Sequence, residues 1–298
     1  MQLTLEHLSF YLNQCENKRL SWHTLKAYRI DLKQFYSFMM NKDMNKREIS
    51  YYIHYLNHHF KPKTVKRKLA SLHAFFEDMV FYEIIQENPM DKMRYKIQEE
   101  KTLPRIIQYH QLQDLFHRLD QDQHFFIKRD KAVIELLIST GIRVSELCAI
   151  KNEDIYLEEK YLIIYGKNAK ERVIFLGEEV YLALKEYEQA FHDRISEQEY
   201  FFINNQYHRL TDQSVRHIIN RYTDDFHITP HMFRHTFATM LLEQDVDISY
   251  IQKILGHSSI TTTSIYAYAS IQRQKEIMMN KNPRQLIKYY FFFIYFHI

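Results

Sequence analysis

Glycine is nearly missing from this chain. Four glycines and five prolines in 298 residues leave few backbone breakers, which predicts a mostly helical protein with short loops. Cysteine is almost as scarce. Cys15 and Cys148 lie far apart and form neither a metal motif nor a disulfide framework, as expected of a reducing cytosol. The first twenty residues lack a basic start followed by an apolar run, so no signal peptide is expected. No apolar run spans a bilayer; the aromatic stretch Tyr289–Ile298 is about half the required length, so no membrane partner is expected. No internal repeat occurs, and no low-complexity segment apart from that stretch.

What is present reads as a globular protein: 46% hydrophobic, 15% aromatic and 26% charged residues. The net charge of +3 is unevenly spread. Residues 1–98 hold 16 Lys and Arg against 10 Asp and Glu, and residues 99–298 hold 24 against 27. The excess positive charge in the first third points weakly to a polyanionic partner.

Leu5, Leu8, Phe10 and Leu12 suit a first helix. Ser21 suits the cap of a second, whose apolar face is Leu25, Tyr28, Leu32, Phe35 and Phe38. A third fits residues 46–60. A fourth starts near Pro62 and buries Leu69, Leu72, Phe76, Met79 and Val80. Its first turns carry Lys61, Lys63, Lys66, Arg67 and Lys68. Such a run is either a solvated face or a phosphate-binding helix start. Residues 92–104 are polar, aperiodic and end at Pro104, which predicts a linker between a unit at 1–91 and a second at 105–298.

Beyond the linker, helices are expected at 109–119 and 130–139, with Gly141 closing the latter. A short helix fits 144–150. The period then changes to two: Tyr161–Tyr165 and Arg172–Leu176 read as a hairpin with a polar tip at Gly166–Glu171. Helices resume at 180–190 and 211–222. Thr229-Pro230 opens another, placing His231 and Arg234 three apart near its positive end, where a phosphate would be well placed. His235 adds metal-ligand spacing with His231, but HMFRH lacks the acidic residue that such a motif needs, so His235 reads as a core or supporting histidine and no metal or other cofactor is expected. Phe237, Met240, Leu241, Ile248, Ile251 and Ile254 read as core. Leu255-Gly256-His257 ends a helix and presents a histidine. Three of the four glycines thus precede a candidate polar group: Arg143, Lys167 and His257.

The stretches STGIRVSEL, YGKNAKERVIFLG, TPHMFRHTFATMLLE and LGHSSITTTSIY, in that order, resemble the four signature segments of the tyrosine recombinase (phage integrase) family, and of its Xer-like members in particular. SWHTLKAYRIDLKQF and KTVKRKLASLHAFF resemble that family's DNA-clamping domain, so the likeness covers about residues 5–275. It implies a mainly α protein: an amino-terminal SAM-like helical bundle at 1–91, and at 105–298 a helical catalytic domain with a small antiparallel sheet, the DNA breaking-rejoining fold. It implies that Arg143 and Arg234 grip a scissile phosphate, with Glu146 holding the first arginine. Lys167 is then the general acid, His231 serves proton transfer, His257 bonds the phosphate and Tyr266 is the nucleophile, with Tyr268 as runner-up. Lys61, Lys63, Lys66, Arg67 and Lys68 then become DNA-binding. The partner would be double-stranded DNA in a tetramer, of one protomer type or with a paralogous recombinase, in a cytoplasmic, nucleoid-associated setting, and the reaction would be site-specific recombination through a 3′-phosphotyrosyl intermediate and a Holliday junction. The rival functions are a type IB-like topoisomerase and a non-cleaving DNA-binding regulator. The chain departs from the family at Asp245-Val246, where Gly-Ala is usual, and at Phe233, often Leu.

Overall fold

The computed structural model describes residues 2–91, 93, 95–97, 105–166, 171–223, 226–256 and 275–286. They divide into two compact units, Met1–Thr102 and Leu103–Ile298.

The first unit is a bundle of four helices: α1 (Leu5–Asn17), α2 (Trp22–Met39), α3 (Lys46–His59) and α4 (Pro62–Phe81). Ser21 caps α2 by accepting from Thr24 N, and Asn45 caps α3 by accepting from Glu48 N. α4 has no side-chain cap; Pro62 takes its first turn, where a missing N–H costs nothing. The apolar stripes meet in a core of Leu32, Phe35, Tyr52, Leu56, Leu69, Leu72, Phe75 and Phe76. One carboxylate lies within it. Asp31 is buried on α2 and accepts from Lys68 Nζ (2.9 Å), Ser71 Oγ (2.8 Å) and the Arg67 guanidinium, all on α4. A buried charge persists only when paired, so α2 and α4 are locked in register there.

The second unit is built around α6 (Ile127–Thr140). Ala132, Val133, Ile134, Leu136, Leu137 and Ile138 surround this helix with apolar side chains, so it is buried on all sides. Glu135 interrupts them and is matched by Arg284, whose Nε donates to both carboxylate oxygens at 2.8 and 2.9 Å. α5 (Tyr109–Gln121), α8 (Glu178–Ser196), α9 (Asp212–Tyr222) and α10 (Pro230–Glu243) pack about α6. The short α7 (Val144–Leu147) follows it, and α11 (Ile248–Leu255) follows α10. Residues 275–280 are helical, and Ile277 and Met278 share a smaller core with Phe237, Leu241, Ile251, Ile254 and Leu255.

The sheet has three antiparallel strands in the order β1 (Ile155–Tyr156), β2 (Tyr161–Tyr165), β3 (Glu171–Phe175). Tyr165 pairs with Glu171 and Ile164 with Arg172. The sequence misses β1, since two residues carry no period. Ile248 is not a core residue. It opens α11 at 58% exposure, and the buried stripe begins at Ile251. Among the described residues no helix is long and apolar enough to cross a membrane.

Candidate active site

Three guanidiniums converge around one carboxylate in the second unit. α6 ends at Gly141 in the left-handed conformation (φ +61°), and the chain turns so that Arg143 caps α7. A Cβ on Gly141 would lie 2.6 Å from Phe237 Cδ1, so conformation and packing both require glycine. Arg234, the fifth residue of α10, is buried and reaches back to this turn. Its Nη1 donates to Gly141 O at 2.8 Å and its Nη2 to Leu255 O at 2.7 Å. One side chain thus ties α10 to the ends of α6 and α11.

Glu146, buried on α7, binds two arginines. Arg143 donates to it from its own backbone N (2.9 Å to Oε2) and from Nη1 (2.8 Å to Oε1). Arg172, on β3, donates from Nη2 at 2.7 Å and Nη1 at 3.2 Å, and from Nε to Ile254 O at 3.0 Å. Burial works to raise the Glu146 carboxyl, but Arg172 and then Arg143 outweigh it, so the group sits below the ordinary carboxylate range. Burial, then the charge of Arg143, pushes Arg234 down to about 10. One negative charge faces three positive ones. Such a site favours an added anion, and Arg143, the most exposed of the three, keeps guanidinium donors beyond its Glu146 bond to offer it.

His231 lies at the start of α10, after Thr229 at the cap position and Pro230 at the first helical position. Thr229 makes no side-chain capping bond. Partial burial lowers the His231 pKa below the usual histidine value, and Arg216, His235, Arg234 and Arg143 lower it further, which favours the neutral ring. His235 is exposed and not a core residue. No group of three His, Cys, Asp or Glu able to hold a metal ion occurs among the described residues.

The structure therefore brings Arg143, Glu146, His231 and Arg234 into one region. Lys167, His257, Tyr266 and Tyr268 lie outside the described residues. The basic run on α4 is not one face. Lys61, Lys63 and Lys66 are exposed, Arg67 is partly exposed but bound to Asp31, and Lys68 is buried against Asp31 and over the Phe60 ring. Lys68 is thus part of the bundle's interior, one helical turn from Val65 and Leu72. The sequence reading also passes over Arg172. Strand parity is the signal that finds it: Arg172 shares its face of β3 with buried Ile174, and an inward arginine needs a buried acid.

The phage integrase family matches residues 105–273, and the SAM-like amino-terminal domain of phage integrases matches residues 8–86. A tyrosine recombinase of Agathobacter rectalis is 43% identical over 296 residues, covering 94% of this chain and 97% of its own. The tyrosine recombinase XerC of Staphylococcus saprophyticus is 32% identical over 278 residues, covering 90% and 93%. A lambda integrase, solved as a tetramer bound to a Holliday junction, shares the fold with a TM-score of 0.69 at 18% identity, covering 88% of this chain and 80% of that one. The chain belongs to the phage integrase family and is a tyrosine recombinase.

Proposed function

We propose that this recombinase cuts and rejoins double-stranded DNA through a covalent 3′-phosphotyrosyl intermediate. The observation that carries the reading is the excess of guanidinium charge at Arg143, Arg172 and Arg234 around the single Glu146 carboxylate. A phosphodiester is the anion that suits it, because attack on phosphorus builds charge on the non-bridging oxygens and fixed guanidiniums stabilise that charge without losing protons.

In this reading the Tyr266 hydroxyl attacks the scissile phosphorus. Its proton passes to neutral His231, and the P–Tyr266 bond forms as the bond to the 5′ oxygen breaks. Lys167 donates a proton to that leaving oxygen. Arg143 and Arg234 hold the phosphate oxygens, and His257 adds a hydrogen bond. The phosphotyrosine retains the energy of the broken bond, so the reverse steps reseal a strand without ATP, and arginine and lysine do the work that a divalent ion does elsewhere. The unit at 1–91, joined through residues 92–104 to the catalytic unit at 105–298, clamps DNA with Lys61, Lys63 and Lys66 at the start of α4. Four protomers on two sites exchange strands through a Holliday junction, the assembly in which the lambda integrase relative was solved.

A nicked suicide duplex carrying the cognate site tests this. The wild-type protein forms an adduct that survives denaturant and persists in EDTA, and Tyr266→Phe forms none. An adduct retained by Tyr266→Phe and lost in Tyr268→Phe moves the nucleophile, and loss in EDTA overturns the metal-free chemistry.

A further inference from the structure

Arg172 stands where three separately anchored pieces of the site meet. Its Nη1 and Nη2 hold the two oxygens of Glu146 on α7, and its Nε holds the carbonyl of Ile254 in the last turn of α11. It is paired with Ile164, one position inside the Tyr165–Glu171 pair that closes the β2–β3 hairpin. Gly256, which ends α11 at φ +67°, lies so close that a Cβ there would be 3.0 Å from Arg172 Nη1. Each piece leads directly, along the chain, to a residue of the proposed chemistry. Along the sequence Lys167 is five positions before Arg172 and His257 follows Gly256, and Arg143 shares the Glu146 carboxylate.

We propose that Arg172 is a positioning residue for strand cleavage. It fixes the guanidinium of Arg143 relative to the roots of the segments that carry Lys167 and His257. The proposal rests on the roles given to those residues under Proposed function.

Two physical arguments favour this over a passive strut. A guanidinium that spans both oxygens of a carboxylate fixes the carboxylate plane as well as its place. Glu146 so held takes only one guanidinium nitrogen of Arg143, and the others stay available to a phosphate. Without Arg172, the carboxylate is free to turn onto Arg143 as a two-toothed pair, which would withdraw those donors and cancel their charge. The same three bonds tie β3 to α7 and to α11, so loosening them shifts two chain segments at once.

The test uses the full-length protein and the nicked suicide duplex. Arg172→Ala and Arg172→Lys are compared with the wild type for single-turnover adduct formation and for affinity to the same duplex. Leu112→Ala, a buried α5 position away from these contacts, controls for lost stability. Arg172→Ala is expected to slow adduct formation about 10²-fold, the scale of a misplaced reacting group. Affinity should change less than about threefold, because the phosphate-contacting cations are untouched. Arg172→Lys should recover only part of the rate, since an ammonium cannot span both oxygens and the Ile254 carbonyl. The pH profile adds a readout. The charged groups facing Glu146 are Arg143, Arg172 and, further off, Arg234. Removing Arg172 lets the carboxyl titrate higher, so the acid limb of the rate should move to higher pH in Arg172→Ala, move less in Arg172→Lys, whose ammonium keeps a cation beside Glu146, and stay put in Leu112→Ala.

Wild-type rates in both Arg172 variants overturn the proposal. So does a rate loss matched by Leu112→Ala at equal loss of Tm with an unmoved acid limb. If Arg172→Ala does not fold, Arg172→Lys decides on the same criteria. A wild-type protein that forms no adduct overturns the cleavage reading and this proposal with it, whereas a wild-type adduct with unaffected variants overturns this proposal alone.

Discussion

Arg234 donates to the carbonyl oxygen of Gly141 at 2.8 Å, across ninety-three positions of sequence. The bond places a buried guanidinium beside the turn that presents Arg143, so the spacing of the two arginines is set by backbone. It makes Gly141 part of the site's support. Gly141→Ala meets both a left-handed φ and a 2.6 Å contact with Phe237, and is expected to cost about 2–4 kcal/mol. Thermal melts should show the loss, and cleavage should fall further than stability alone explains.

His231 is expected to titrate below the usual histidine value of 6.5, because burial and four nearby cationic or basic groups oppose its protonation. The sign follows from linkage. The folded protein takes up this proton less readily than the unfolded chain, so as pH falls through 6.5 and below, the group favours unfolding. The cleavage rate should therefore hold through pH 6.5 and decline only under more acid conditions. An NMR titration that puts the His231 midpoint above 6.5 would refute the assignment of a neutral proton acceptor.

The α4 cations should separate by experiment. Lys61→Ala and Lys63→Ala are expected to weaken DNA binding and flatten its salt dependence, each by about one unit of log–log slope. Lys68→Met should leave that slope unchanged and lower Tm instead, since it strips a partner from buried Asp31, a loss of roughly 3 kcal/mol. A reduced salt slope for Lys68→Met would place that ammonium on DNA.

Asp245 adopts φ +56° in the turn between α10 and α11. Glycine takes this conformation without strain, so Asp245→Gly is expected to stabilise the protein by up to about 1 kcal/mol. A lower Tm would show that the Asp245 side chain supplies a contact that glycine cannot.

Much of this was legible in the sequence, for physical reasons. Helices α2, α4 and α10 announce themselves through caps and a 3.6-residue stripe, and the hairpin through a change of period. Arg143, His231 and Arg234 could be marked because each stands at an element end beside a glycine or proline signal. What escaped depends on partners distant in sequence. Lys68 looks like its neighbours Lys66 and Arg67 until Asp31 is known to face it, thirty-seven positions earlier. Arg172 has no motif of its own, and its role exists only once Glu146 and Ile254 are seen around it. Ile248, the first residue of α11, is apolar yet exposed, because an apolar residue at a helix start need not join the buried stripe.

Arg234 and Arg143 are expected to stabilise a phosphodiester during its cleavage, beyond any part in holding DNA. The most direct measurement is single-turnover cleavage of the suicide duplex by Arg234→Ala, set against its affinity for the same duplex. The rate is expected to fall by about 10²–10³-fold with affinity changed far less, because the interaction strengthens where charge builds in the transition state. A wild-type rate, or a loss confined to affinity, would contradict it.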